Sequence, residues 1–144
     1  LVSLTATRSE YAGVDSVYYT GSFETRFIGN LLVGWRFNPK WEVSGKYRLA
    51  TGLPYTPFAA TGPEAGERDF TQYNQQRLPT YSAVDIRIDR RWSFRAVQLD
   101  VYLDIQNLFG AENVTGTYWN ERTQQEEFDE GLGILPTIGV NVEF

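Results

Sequence analysis

The sequence contains no cysteine and no histidine. The missing thiols exclude disulfide bonds, thiolate metal sites and cysteine nucleophiles, and the missing imidazoles exclude histidine-based triads and zinc sites. Long apolar runs are also missing, since no stretch approaches the roughly 20 residues that a membrane-spanning helix needs. This absence leaves a membrane location open, because the strands of a membrane barrel alternate apolar and polar residues and have an ordinary average hydropathy.

An excess of basic residues is missing as well. The chain has 13 lysines and arginines against 18 aspartates and glutamates, which gives a net charge of -5. Because a nucleic-acid-binding surface requires clustered basic residues, we expect no nucleic-acid partner. The 144 residues suffice for one domain at most, and with 42% hydrophobic and 15% aromatic residues the chain does not have the composition of a disordered tail.

Apolar and polar residues alternate along five long segments and one weaker segment, which is typical of strands with one apolar face. In the last segment, Ile138, Val140, Val142 and Phe144 share a face. The segments are about ten to eleven residues long, as a tilted membrane strand requires, whereas strands of soluble proteins average about five or six. The predicted strands are 1–8, which is the weaker one, 27–37, 41–51, 82–92, 97–108 and 134–144.

The connections between the predicted strands alternate between short and long. Residues 38–40 and 93–96 form tight turns, whereas residues 9–24, 52–80 and 109–133 form long loops. A short strand is also expected within the last loop, at 114–120. Outer-membrane barrels of bacteria have the same asymmetry, with short periplasmic turns and long extracellular loops.

Aromatic residues gather where the predicted strands meet the short turns, as expected at a membrane interface. A soluble sandwich or a lipocalin-like barrel would explain the alternation equally well, but not the strand length, the one-sided aromatics or the unequal loops. The sequence therefore predicts an all-β fold, an antiparallel transmembrane β-barrel segment of about six long strands that is part of a larger barrel. The aromatic residues are Trp35, Phe37, Trp41, Trp92, Phe94 and Phe144.

Charged residues occupy the polar faces of the predicted strands 82–92 and 97–108. Carboxylates that face one another could perform acid–base chemistry on glycosidic bonds. A register that pairs Arg91 with Asp100 and Arg87 with Asp104 would instead neutralise them, because opposite charges attract across an antiparallel pair. We therefore predict a salt-bridged wall facing the barrel lumen, and we call it the charged wall: Asp85, Arg87, Asp89, Arg91, Asp100 and Asp104.

Two groups of residues in the long loops are candidate binding sites, and each has a simpler explanation. Carboxylates between 121 and 130 could hold Ca²⁺, but their spacing is not that of an EF-hand, which favours a solvated acidic loop. Aromatics between 55 and 73 could stack on a sugar or an aromatic ligand, although packing within the loop is the simpler explanation. The groups are Glu121, Glu126, Glu127, Asp129 and Glu130, and Tyr55, Phe58, Phe70 and Tyr73.

Four stretches resemble the C-terminal third of TonB-dependent outer-membrane receptors in their order and spacing. The likeness covers nearly the whole chain and ends on a phenylalanine. It implies that residues 1–144 are the C-terminal part of such a receptor β-barrel, with the plug and the earlier strands absent. The stretches are Tyr-Arg-Leu-Ala-Thr-Gly-Leu-Pro-Tyr-Thr-Pro at 47–57, Arg-Leu-Pro-Thr-Tyr-Ser-Ala-Val-Asp-Ile-Arg at 77–87, Leu-Asp-Ile-Gln-Asn-Leu-Phe at 103–109, and Pro-Thr-Ile-Gly-Val-Asn-Val-Glu-Phe at 136–144.

The resemblance implies a 22-stranded barrel in the bacterial outer membrane, with an N-terminal plug in its lumen. Such receptors bind scarce nutrients, such as ferric siderophores, cobalamin or glycans, and import them with energy from TonB. The implied partners are outer-membrane lipid, the barrel-assembly machinery and, through the missing plug, TonB. We expect no cofactor and no enzyme activity, since a barrel enzyme is disfavoured by the missing histidine. An outer-membrane structural or adhesion barrel without transport is the alternative.

The resemblance also implies a role for the last residues of the chain. In the family, the assembly machinery of the outer membrane reads a terminal aromatic strand, which assigns an assembly signal to Val140, Val142 and Phe144. The residue pattern adds a weaker, independent reason, because Phe144 continues the apolar face of the last strand at the rim where aromatics are favoured.

Overall fold

The computed structural model describes residues 1–14 and 16–144, and these residues form β-strands joined by turns and loops. The predicted all-β, antiparallel fold is confirmed. In the described ranges, no helix is long and apolar enough to cross a membrane. The strands are β1 (Val2–Ala6), β2 (Glu10–Ala12), β3 (Tyr18–Thr20), β4 (Phe27–Asn38), β5 (Trp41–Ala50), β6 (Pro54–Tyr55), β7 (Gln76–Arg77), β8 (Tyr81–Ser93), β9 (Gln98–Gln106), β10 (Val114–Asn120), β11 (Gln125–Glu130) and β12 (Leu135–Glu143), with one 3-10 turn at Phe70–Gln72.

Six of the strands form one antiparallel sheet in the order β1-β4-β5-β8-β9-β12. Among these six strands, each one pairs with the next of the six in chain order, so the sheet is an up-and-down meander. Within the described residues the sheet is open, with β1 and β12 as its edges, and it does not close into a barrel. The five long strands match the predicted segments to within a few residues at each end.

Local hydrogen bonds explain the two tight turns. The Asn38 side chain accepts hydrogen bonds from the backbone N–H groups of Lys40 at 2.8 Å and Trp41 at 3.0 Å, which closes the turn around Pro39. In the second turn, the backbone N–H of Phe94 donates to the carbonyl of Val97 at 2.8 Å. Both turns lie at the same end of the sheet, as the sequence predicts, and the long loops lie at the other.

The long loops contain short paired strands of their own. β2 pairs with β3, β6 with β7 and β10 with β11. The strand predicted at 114–120 is confirmed as β10. Its partner β11 is not predicted by the pattern, because its sequence Gln-Glu-Glu-Phe-Asp-Glu has a single apolar residue and is rich in residues that are depleted in strands.

One face of the six-stranded sheet is apolar across every strand. Residues that pair directly in an antiparallel sheet point to the same face, and the register aligns apolar residues, for example Val43 with Ile88, Ile88 with Leu103, and Leu103 with Ile138. The face alternation predicted for these strands is therefore confirmed. We call this the apolar face: Val2, Leu4, Leu31, Val33, Trp35, Val43, Tyr47, Val84, Ile86, Ile88, Leu99, Val101, Leu103, Ile105, Ile138, Val140 and Val142.

Within the described residues, no second layer covers the apolar face. Ile138 is 73% exposed and Val33 is 58% exposed, although both lie in the middle of long strands. The buried apolar residues Ala50, Leu78 and Ala83 lie instead at the long-loop end of the sheet. The sheet thus presents a large apolar surface and has no core beneath it.

On the opposite, polar face, the ring of Tyr102 lies over Gly139 of the neighbouring strand. A Cβ atom at Gly139 would lie 2.2 Å from the ring, and the Arg87 guanidinium stacks on the same ring at 3.8 Å from its centroid. An aromatic ring that covers a cross-strand glycine helps to define strand register. Gly139 is therefore required for the tight pairing of β9 with β12.

We predict that Gly139→Ala lowers the free energy of unfolding by about 1–3 kcal/mol, because the added methyl group displaces the Tyr102 ring. Gly34→Ala is the matched control. Gly34 lies in β4 and, like Gly139, on the polar face of the sheet, but a Cβ atom there would contact nothing within 4 Å. Urea unfolding of the chain in detergent micelles, followed by tryptophan fluorescence, measures both changes. Equal midpoints for the two variants would contradict the prediction.

Candidate functional site

The charged wall lies on the polar face of β8 and β9. The register places Arg91 opposite Asp100 and Arg87 opposite Asp104, as predicted. The Nε atom of Arg91 donates a hydrogen bond to Oδ1 of Asp100 at 2.8 Å, so the first predicted ion pair is confirmed.

The second predicted ion pair, between Arg87 and Asp104, is wrong. The Arg87 guanidinium instead donates to the carboxylate of Asp89 in its own strand, with an Nη2–Oδ1 distance of 2.7 Å. Tyr102 explains this choice, because it is the cross-strand neighbour of Asp89 and its ring stacks on the guanidinium. Among the described residues, the only hydrogen bond to the Asp104 side chain is a long one of 3.5 Å from the Gln106 amide.

Two residues outside the predicted charged wall bind Asp85. Nζ of Lys46 in β5 donates to its carboxylate at 2.8 Å, and the backbone N–H of Asn107, just after β9, donates at 3.0 Å. Asp85 thus joins the middle of β5 to the end of β9. This pair could not be predicted from the sequence. The alternation places Lys46 on a polar face, but a long loop joins β5 to β8, and without a tight turn the sequence does not specify which residue of β8 lies opposite Lys46.

A cavity of about 360 Å³ opens on the polar face near the tight turns. Three carboxylates line it, and each is bound to an arginine: Asp89 to Arg87, Asp100 to Arg91, and Glu42 to Arg36 at 2.9 Å. Each of these three carboxylates is therefore engaged in an ion pair with a cation. The arrangement favours a wall of paired charges over the acid–base interpretation.

Buried polar contacts tie the long loops together at the other end of the sheet. The Glu24 side chain is buried and accepts hydrogen bonds from the Arg77 guanidinium and, at 3.3 Å, from the Ser9 backbone N–H. Burial alone would raise the pKa of Glu24, but the Ser9 amide and the nearby Arg77 and Arg26 guanidinium groups outweigh it and lower that pKa below its ordinary value. Glu24 therefore remains charged and links the first long loop to the second.

Arg68 links the second long loop to the third. Its guanidinium donates to Oγ1 and to the backbone carbonyl of Thr117, both at 2.9 Å, and stacks on the Phe58 ring at 3.9 Å. The Phe58 ring in turn lies 6.0 Å from that of Trp119. Phe58 thus packs within the loops, which supports the simpler explanation offered for it.

Tyr73 also packs on loop neighbours. Its ring stands nearly perpendicular to those of Tyr11 and Tyr19, with centroids 6.4 and 6.0 Å away. Its hydroxyl lies 3.2 Å from that of Ser22. By contrast, Phe70 is 71% exposed and makes no ring contact among the described residues, so of these two loop aromatics only Phe70 is free to meet a ligand.

The carboxylates between 121 and 130 mostly lie on the β10–β11 hairpin. Glu127 accepts hydrogen bonds from Tyr118 at 2.8 Å, Thr123 at 2.9 Å and Asn120 at 2.7 Å, and these bonds lower its pKa. No group of three or more acidic side chains in the described part of the chain is arranged to hold a metal ion. All three partners of Glu127 belong to the same hairpin, so these hydrogen bonds stabilise the hairpin itself.

The residues of the predicted assembly signal lie on an edge strand. Val140 and Val142 belong to the apolar face and pair with Val101 and Leu99 of β9. Phe144 follows β12 at the tight-turn end and is 99% exposed. The role of these residues in assembly stays a prediction.

The comparisons with family models, curated proteins and solved structures give no match to this chain. The assignment to the TonB-dependent receptors therefore stays a prediction that rests on the four sequence stretches. The uncovered apolar face, the charged wall and the tied loops are the observations from which a function can be proposed.

We predict that a double-mutant cycle on Arg91→Ala and Asp100→Ala gives a coupling energy of about 0.2–1 kcal/mol, because the pair is direct but partly exposed. The same cycle on Arg87→Ala and Asp104→Ala serves as the control and should give a smaller value, since these side chains face each other without bonding. Urea unfolding in detergent provides the free energies. Equal coupling in both cycles would contradict the observed pairing.

Proposed function

We propose that the chain forms part of the wall of a β-barrel in the bacterial outer membrane, and that this barrel belongs to a TonB-dependent receptor for a scarce nutrient. The observation that carries the proposal is the apolar face, which extends over six strands and is uncovered. The membrane location and the receptor family have separate support.

An uncovered apolar face of this size fits contact with lipid. Soluble monomers rarely expose apolar patches larger than a few hundred Å², since each Å² of apolar surface costs about 25 cal/mol in water. Hydrocarbon removes that cost. The opposite face carries charged side chains paired with one another, which fits a water-filled lumen.

The strand lengths agree with a membrane wall. A tilted strand needs about 9–11 residues to cross the hydrocarbon layer. The five long strands of the sheet, β4, β5, β8, β9 and β12, contain 12, 10, 13, 9 and 9 residues. Such lengths have no evident use in a small soluble sheet, whose strands are about half as long.

The two edges of the sheet support a larger barrel. The outer sides of β1 and β12 have no partner among the described residues. In hydrocarbon, each unpaired backbone group costs several kcal/mol, so membrane barrels have no edges. Further strands of the same barrel would satisfy both edges.

The receptor part of the proposal is supported by the sequence resemblance and by the loops. The three long loops lie at one end of the sheet and are tied to one another by Arg68, Arg77 and Asn74. An ordered loop surface at one end of a barrel suits the recognition of a nutrient outside the cell. An outer-membrane structural or adhesion barrel would have the same wall without transport.

We predict that Ile138→Arg sharply reduces the amount of folded barrel in the outer membrane, because arginine at the lipid-facing midplane costs about 2–4 kcal/mol. Thr137→Arg is the control, since this neighbour lies on the other face, opposite Asp104. The measurement is the amount of heat-modifiable, folded protein in outer-membrane fractions, and it is made on the native gene product. Equal tolerance of the two arginines would contradict a lipid-facing apolar face.

The same measurement tests the proposed assembly signal of Val140, Val142 and Phe144. Deleting Phe144 should slow assembly and leave unfolded protein in the periplasm. Wild-type amounts of folded barrel after the deletion would show that the terminal aromatic residue is not read during assembly.

The transport function is tested by genetics in the source bacterium. We expect that disrupting this gene impairs growth on one limiting nutrient, and that inactivating TonB causes the same defect, with no additional loss in the double mutant. A disruption that weakens adhesion or the cell envelope and leaves all uptake intact would favour the structural alternative. If the receptor proposal is correct, we also expect the same gene to encode a plug domain upstream of these residues.

A further inference from the structure

Arg90 is the one charged residue on the apolar side of the six-stranded sheet, as far as the described residues show. It continues the series Val84, Ile86 and Ile88 along β8, and the register places it opposite Trp41 of β5. Every other aspartate, glutamate, lysine and arginine in the long strands of the sheet points to the polar face. A cation in this position needs a specific explanation, because the surface around it is apolar.

The guanidinium of Arg90 is held by aromatic rings and has no acidic partner. It lies 4.8 Å from the ring centroid of Trp41 and 4.6 Å from that of Trp92. Its Nε atom is buried and has no hydrogen-bond partner, and no carboxylate in the described residues forms an ion pair with it. By contrast, Arg87 and Arg91, on the polar face of the same strand, are each paired with an aspartate.

The position of Arg90 along the strand is equally informative. Trp41 is the first residue of β5 after the tight turn, so Arg90 lies level with the tight-turn end of that strand. In a membrane barrel, an arginine on the lipid-facing side costs about 2–4 kcal/mol at the midplane and only about 0–1 kcal/mol near the interface. Tryptophan is favoured at the same level, where its indole meets the lipid headgroups.

We propose that Arg90, Trp41 and Trp92 form a binding site for the phosphodiester group of a membrane phospholipid. The guanidinium presents paired donors that match two oxygens of a phosphate, and its uncompensated charge supplies the attraction. The two indoles hold the guanidinium in place and contact the glycerol region of the lipid. This inference rests on the proposed membrane location and adds a specific ligand to it.

Native mass spectrometry of the native gene product in detergent tests the site. The probes are a phosphatidylglycerol and a diacylglycerol with the same acyl chains, which lacks the phosphate. We expect the phosphatidylglycerol to bind about tenfold more tightly, equivalent to about 1.4 kcal/mol, and Arg90→Gln to remove that preference. Arg95→Gln is the matched control, because Arg95 is an exposed arginine in the neighbouring turn that loses the same charge.

Retention of the phosphatidylglycerol preference in Arg90→Gln would overturn the proposal. Displacement of the lipid by millimolar inorganic phosphate would also overturn it, since the site would then accept free phosphate. If Arg90→Gln does not fold, Arg90→Lys replaces it. Lysine keeps the charge and loses the paired donors, so the preference should fall part of the way, and an unchanged preference would count against the site.

Quenching of tryptophan fluorescence by brominated phospholipids separates this proposal from the membrane location. Quenching in both wild type and Arg90→Gln, without any headgroup preference in wild type, would refute the phosphate site and leave the lipid-facing wall intact. No quenching in either protein would refute the lipid-facing wall itself, and with it the site.

Discussion

The antiparallel register of six strands is the constraint on which the rest of the structure depends. Because side chains alternate with a period of two, one register puts Val43, Ile88, Leu103 and Ile138 on the same face in four successive strands. A slip of one residue in any pair would exchange that strand's apolar and charged residues. Both faces therefore depend on the same set of backbone hydrogen bonds.

The charged wall is a consequence of this register, and its details show where prediction from sequence succeeds. The β8–β9 turn is tight, so alternation and opposite charge suffice to pair Arg91 with Asp100. The same reasoning fails for Arg87, because it considers charge alone and omits the Tyr102 ring, which directs the guanidinium to Asp89. Lys46 and Asp85 meet across a pair of strands joined by a long loop, and no local pattern aligns them.

The strands could be predicted and the loop contacts could not, for a physical reason. Alternation over about ten residues is a strong local signal. The loop end is organised by side chains far apart in sequence, such as Arg77 with Glu24 and Arg68 with Thr117. Such contacts depend on how three loops meet in space. β11 could not be predicted for a different reason: its pairing with the adjacent β10 overcomes a composition that is unfavourable to strands.

The two ends of the sheet differ in the chemistry of their side chains as well as in the length of their connections. Within the described residues, the tight-turn end carries one arginine, Arg90, that lies between two indoles without a counter-ion, whereas Arg77 and Arg68 at the loop end are bound to Glu24 and Thr117. A uniform solvent gives no reason why Arg90 should lie unpaired on an apolar face while Arg87 and Arg91 of the same strand are paired with aspartates. In the proposed barrel the difference has a cause: the loop end must be stable in water by itself, while the tight-turn end is completed by the headgroups of the surrounding lipid.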